Sequence, residues 1–109
     1  RDWGHAKDYV QAMWLMLQQE TSDDFVCSTG ISHSVQDLVE YTFNKLNLDW
    51  KQYVKIDPKY LRPEELENLK GDSLKLTKMT GWTPTYTFET MIDEMINYWI
   101  KKLKNGSTN

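Results

Sequence analysis

Apolar residues recur at Ala6, Tyr9, Val10, Met13, Trp14 and Leu17, the i, i+3, i+4, i+7 spacing that lays one stripe along a helix. Leu15 and Met16 widen that stripe, so this helix calls for neighbours on two sides. "TSDD" interrupts the pattern, and the short apolar run "FVCST" over 25–29 predicts a buried strand that ends at Gly30. Ser34 then offers an N-cap, with Asp37 three residues on, ahead of a second stripe at Val35, Leu38, Val39, Thr42 and Leu46. Alternation in "YVKIDP" predicts another strand at about 53–57, closed by Pro58. Asp72 is placed to cap a short helix that stops at Gly81, with Pro84 beyond it to prevent its resumption. Thr87 caps the last helix, whose stripe is Phe88, Met91, Ile92, Met95, Trp99 and Leu103.

These elements predict an α/β fold with helix in excess: a folded portion over 1–104 and a polar tail over 105–109. The two strands flanking a helix imply a short, largely parallel sheet with a right-handed crossover. Two strands alone are marginal, so a third extended segment, at Arg1–Trp3 or at "TPTYT", is expected to join them.

Composition narrows the function more than the fold. The chain has 109 residues, 39% hydrophobic and 27% charged, enough for one modest core. Its net charge of −3 comes without a basic stripe, and Lys101, Lys102 and Lys104 fall in the last turn of a helix, where they complement its dipole. Nucleic acid is not an expected partner. No apolar run approaches the roughly 20 residues that cross a bilayer, and no signal-peptide layout precedes the first helix, so no membrane is expected and the predicted location is cytoplasmic. The single cysteine, Cys27, excludes an internal disulfide and reads as a small core residue. Asn105-Gly106-Ser107 matches the glycosylation pattern by chance.

Tyr-x-x-x-Lys, the acid/base pair of short-chain dehydrogenases, occurs twice, as Tyr41 with Lys45 and Tyr98 with Lys102. A pattern that recurs so readily on amphipathic helices carries little weight. Gly4, Gly30, Gly71, Gly81 and Gly106 are too scattered to cradle a dinucleotide pyrophosphate, so no cofactor is expected to be held by these residues. His5 and His33 are too few for a zinc site and read as a core and a loop residue. The cluster Arg62, Glu64, Glu65 in "YLRPEELENL" follows the second predicted strand, where α/β sheets bind ligands. Arg presents a planar fork to phosphate, and a carboxylate accepts from sugar hydroxyls. The same residues fit a helix start, with Pro63 at its first position and acidic residues favoured by the dipole.

The stretches "RDWGHAKDYVQAMWLMLQQ", "KIDPKYLRPEELENLKGDSLKLTKMTGWTP" and "TFETMIDEMI" resemble the carboxyl-terminal part of the GDP-mannose 4,6-dehydratases, a family of extended short-chain dehydrogenases/reductases. That resemblance implies a helix-rich portion that grips GDP-mannose, detached from an amino-terminal Rossmann domain that holds NADP. It implies oxidation at C4 of the mannose, loss of water across C5 and C6, and return of the hydride to C6, on the route to GDP-fucose and other deoxy sugars. The family's catalytic Thr, Glu, Tyr and Lys lie upstream of this sequence, which implies no catalytic residue here and no turnover by the chain alone. Arg62 and Glu65 match the family's Arg-Pro-x-Glu, and Arg1 its Arg-Asp-Trp, which implies contacts to the diphosphate and nucleoside. Asp2, Trp3 and His5 stand behind them. Leu76 and Thr80 replace the family's usual Ala and Leu and bear on packing alone. "GD…K…GW.P" by itself marks the broader nucleotide-sugar group. Another dehydratase or an epimerase, or a non-catalytic binding or assembly module, therefore stand as alternatives. An uncovered first helix also implies self-association.

Overall fold

The computed structural model describes residues 1–106, in the order α1 (Ala6–Leu17), α2 (Val35–Lys45), α3 (Leu74–Thr80) and α4 (Phe88–Lys104). Single 3₁₀ turns at Trp50–Gln52 and Pro58–Tyr60 punctuate the long connection between α2 and α3. The described residues contain no strand, so the expected α/β fold with a parallel sheet is corrected to an all-helical arrangement joined by irregular segments. The tail expected over 105–109 is described only as far as Gly106, and residues 107–109, with Ser107 of the glycosylation pattern, lie outside the described residues.

The reason lies in where the backbone hydrogen bonds go. In the segment at 25–29, the N–H of Thr29 and that of neighbouring Gly30 donate to the Asp2 carboxylate at 3.0 and 2.9 Å, and Ser28 O accepts from Ser73 Oγ at 3.0 Å. Side chains have taken the groups a neighbouring strand would need. Near 53–57, the N–H groups of Tyr53 and Val54 fold back onto Trp50 O, each at 3.0 Å, and Ile56 stays 81% exposed. Alternating residues make a strand only when one face is buried, and this segment buries neither. The proposed third strands are spent likewise: Thr85 and Tyr86 donate to Asp8. Arg1 and His33 exchange both backbone bonds, at 2.7 and 2.8 Å, the pattern of one antiparallel pair.

The helix ends follow local chemistry. Ser34 and Asp37 form a reciprocal capping box, with Asp37 N donating to Ser34 Oγ at 2.9 Å and Ser34 N to Asp37 Oδ2 at 2.8 Å. Thr87 caps α4 with Thr90 in the reciprocal role. Ser73 rather than Asp72 occupies the cap position of α3, although Asp72 Oδ1 accepts from Leu74 N at 3.0 Å. Gly81 ends α3 in the left-handed region at φ 77°, which a side chain would strain. The stripe on α1 divides: Ala12 and its neighbours Tyr9, Leu15 and Met16 pack on Leu76 and Trp82, while Val10, Met13, Trp14 and Leu17 face outward.

Buried Asp8 ties this core together. Its backbone oxygen accepts from Trp82 Nε1 at 2.9 Å, and its carboxylate accepts from Thr85 N, Thr85 Oγ1 and Tyr86 N at 3.1, 2.6 and 3.0 Å. Burial opposes ionisation, but these hydrogen bonds outweigh it and hold the carboxyl below its ordinary range. Asp8→Ala strands two backbone donors and is expected to lower stability by about 2–4 kcal/mol in urea denaturation, with no change in the helical circular dichroism of the folded state. A loss under about 0.5 kcal/mol would show that the Asp8 network is dispensable.

Candidate functional site

Arg1 and Glu65, 64 positions apart, meet in space: Arg1 donates through one guanidinium nitrogen to Glu65 Oε1 at 2.9 Å and through the other to Leu66 O at 3.1 Å. They line a cleft of about 640 Å³ whose other walls are Ser32–Val35, at the start of α2, and Glu67 and Asn68. Arg62 belongs to the same irregular segment yet lies outside this lining, exposed and without a hydrogen bond or ion pair among the described residues. Of the three sequence-predicted site residues, two converge and one does not. Pro63 and the acids after it start no helix, because the segment from Leu61 to Ser73 is irregular throughout.

The residue beside Arg1 ties together the segments that flank the cleft. The Asp2 carboxylate accepts from Thr29 N at 3.0 Å, from Thr29 Oγ1, from Gly30 N at 2.9 Å and from Gly71 N at 3.2 Å, so one side chain joins three segments. Burial works against its charge, and the bonds from Thr29, Gly30 and Gly71 prevail, leaving the carboxyl below its ordinary range. Gly71 is required there: a Cβ at this position would lie 2.4 Å from Ser28 Cβ.

The Arg1–Glu65 pair is solvent-accessible, with the two side chains 36% and 55% exposed, and pairs of this kind contribute about 0–1 kcal/mol. An incoming group can therefore displace it. The guanidinium fork suits a bidentate oxyanion, the carboxylate suits hydroxyl or N–H donors, and the positive end of the α2 dipole adds to the anion side. Asp37 in the first turn of α2 offsets part of that last effect, since the Ser34 backbone and side chain stabilise its charge and keep its carboxyl below the ordinary range.

The other sequence candidates take structural roles. Tyr41 Oη donates to Asp93 Oδ1 at 2.8 Å, and burial first, then that acceptor, pushes its phenol up to about 12, which keeps it protonated rather than ready for proton exchange. Lys102 lies over the rings of Trp99 and Tyr98, at 4.9 and 5.8 Å from their centroids, on an exposed helix face. His5 Nδ1 accepts from Lys7 N at 3.0 Å and caps α1, leaving Nε2 to donate to Glu94 Oε1 at 3.1 Å. His33 stacks on Phe88 at 3.8 Å between centroids. The described residues contain no group of His, Cys, Asp or Glu arranged for a metal ion. Burial raises the Cys27 thiol, which disfavours the reactive thiolate.

Sequence reasoning missed the aromatic cavity of about 400 Å³ beside the cleft, where Trp3, His33, Tyr86 and Phe88 gather. His33 lines both spaces. Only the aromatic flank of Thr87 hinted at it, and that reads equally as helix packing.

Comparison with known sequences bears on the cleft. The family model described as GDP-mannose 4,6 dehydratase matches residues 1–95, a span that includes Arg1, Arg62 and Glu65. Among curated relatives, GDP-mannose 4,6 dehydratase 1 of Arabidopsis thaliana is 50% identical over 97 residues, covering 89% of this chain and 27% of that protein. The Dictyostelium discoideum GDP-mannose 4,6 dehydratase is 43% identical over 123 residues, covering 97% and 35%, and the Homo sapiens protein is 40% identical over 114 residues, covering 89% and 31%. The chain thus spans about a quarter to a third of the length of these relatives.

The Asp2 junction has a pH signature. A depressed folded-state pKa contributes stability above the unfolded value of about 3.9 and loses it as pH falls through the lower folded value. Urea midpoints of the parent are expected to hold steady above about pH 5 and to fall on further acidification. Asp2→Asn should be less stable at neutral pH and lose less between pH 5 and 3; an equal acid loss in both proteins would remove Asp2 from this role.

Proposed function

Because the chain belongs to the GDP-mannose 4,6 dehydratase family, we propose that its Arg1–Glu65 cleft holds the GDP end of GDP-mannose within a protein that forms GDP-4-keto-6-deoxymannose. The observation that carries this reading is the meeting of Arg1 and Glu65 at 2.9 Å across a cleft that opens on the start of α2. Arg1 exchanges its carboxylate partner for the diphosphate oxygens. Glu65, released, accepts from ribose hydroxyls or base N–H groups. Arg62, exposed on the same segment, supplies a second cation once that segment closes over the nucleotide.

The chemistry of such a protein draws on NADP, a hydride carrier, and the described residues do not fit it. Among the described residues no strand leads through a glycine-rich turn into a helix; Gly30 and Gly81 take left-handed conformations at separate places, and Gly71 packs against Ser28. The proton-transfer pair is also absent from the cleft, since Tyr41 is committed to Asp93. This chain's own part is therefore binding and orientation: fixing the nucleotide by charge and shape so that the sugar projects toward groups held elsewhere. The same commitment of Tyr41 favours the second reading, a nucleotide-sugar-binding module without turnover.

Titration calorimetry of the chain with GDP-mannose is expected to give a micromolar Kd, weakened at least tenfold by Arg1→Ala and by Glu65→Ala and less by Arg62→Ala. A UDP-linked sugar should bind more weakly. No binding to a chain with a native circular dichroism spectrum, or binding indifferent to Arg1 and Glu65, would overturn the assignment. Turnover of GDP-mannose by the chain with added NADP would show that the chemistry is not held elsewhere.

A further inference from the structure

The cleft depends on where the Arg1 guanidinium stands, and a long flexible side chain is placed first by its own backbone. That backbone is paired with one residue. Arg1 N donates to His33 O at 2.7 Å and His33 N donates to Arg1 O at 2.8 Å, so a shift of one residue carries the other. His33 in turn is held from two sides. The next residue, Ser34, is locked into the cap of α2 by Asp37, and the His33 imidazole lies flat on Phe88, with centroids 3.8 Å apart and planes within 8°.

Phe88 is a firm seat for that ring. It opens α4, is 8% exposed, and has the rings of Trp3 and Tyr41 packed about it, each at 6.1 Å between centroids. No hydrogen bond holds the imidazole itself, because among the described residues His33 bonds only through its backbone N and O. The aromatic cavity of about 400 Å³ beside it leaves room for the ring to swing. What this side chain contributes is therefore its face, and a flat ring is the shape that seats parallel to Phe88.

We propose that His33 is a positioning residue for anion recognition by Arg1: its ring, seated on Phe88, fixes through the paired backbone the place from which the guanidinium meets the diphosphate. This rests on the reading of the cleft as a nucleotide site. Two hydrogen bonds from one guanidinium fork to an oxyanion are directional, so a displaced Arg1 misaligns both at once. Asp2 ties the segments around Arg1 to one another, whereas His33 ties Arg1 to α2 and α4. His33 also lines the cleft, and a direct contact from a ring nitrogen to the nucleotide is the competing role. Phe at this position keeps the flat face and lacks the nitrogens.

Calorimetry with GDP-mannose is expected to show binding weakened by at least about fivefold in His33→Ala and restored to within about twofold of the parent in His33→Phe. In an Arg1→Ala background, His33→Ala should cost less than about twofold, because the group it positions is gone. Equal losses in His33→Phe and His33→Ala, a loss that persists without Arg1, or full affinity in His33→Ala would overturn the proposal and leave an Arg1-dependent nucleotide site in place. A parent that binds no GDP-mannose, or binds it indifferently to Arg1, overturns the reading of the cleft and this role with it. If His33→Ala loses the native circular dichroism spectrum, His33→Leu against His33→Phe makes the same comparison.

Discussion

The carboxylate of Asp2 is the constraint on which the region around the cleft depends. Four donors from Thr29, Gly30 and Gly71 converge on its two oxygens, so the segment leading into α1, the segment before α2 and the segment before α3 meet at one charged group. Asp8 repeats the device in the first turn of α1, its carboxylate gathering Thr85 and Tyr86 while its backbone oxygen takes Trp82. In most mixed folds a sheet satisfies the backbone donors of extended segments. Here two partly or wholly buried aspartates do so, and charged acceptors make stronger bonds than neutral carbonyls while fixing fewer of them.

That substitution explains why the helices were legible in the sequence and the connections were not. Ser34, Thr87 and Gly81 act on backbone groups within a few residues, so their effect survives whatever surrounds them. The alternation at 53–57 is equally local, but a strand requires a neighbour, and neither Val54 nor Ile56 finds a buried face. On α1 the apolar residues encircle so much of the helix that periodicity could not choose between the face of Ala12 and the face of Val10 and Trp14. The site shows the same division. Nothing in spacing joins Arg1 to Glu65; only resemblance to a family named both, and it named Arg62 with equal weight, although that residue stands apart.

In the binding role proposed for the cleft, the resting contact between Arg1 and Glu65, worth no more than about 1 kcal/mol, biases what enters. An occupant that carries only negative charge frees Glu65 from its cation and leaves that carboxylate unmatched; one that carries only hydroxyl donors must prise away Arg1 with nothing to offer it. A molecule bearing an oxyanion and a donor at the right separation re-pairs both side chains in a single event. On that proposal the cleft favours a conjunction of two chemical features, and free phosphate or free sugar presents only half of it.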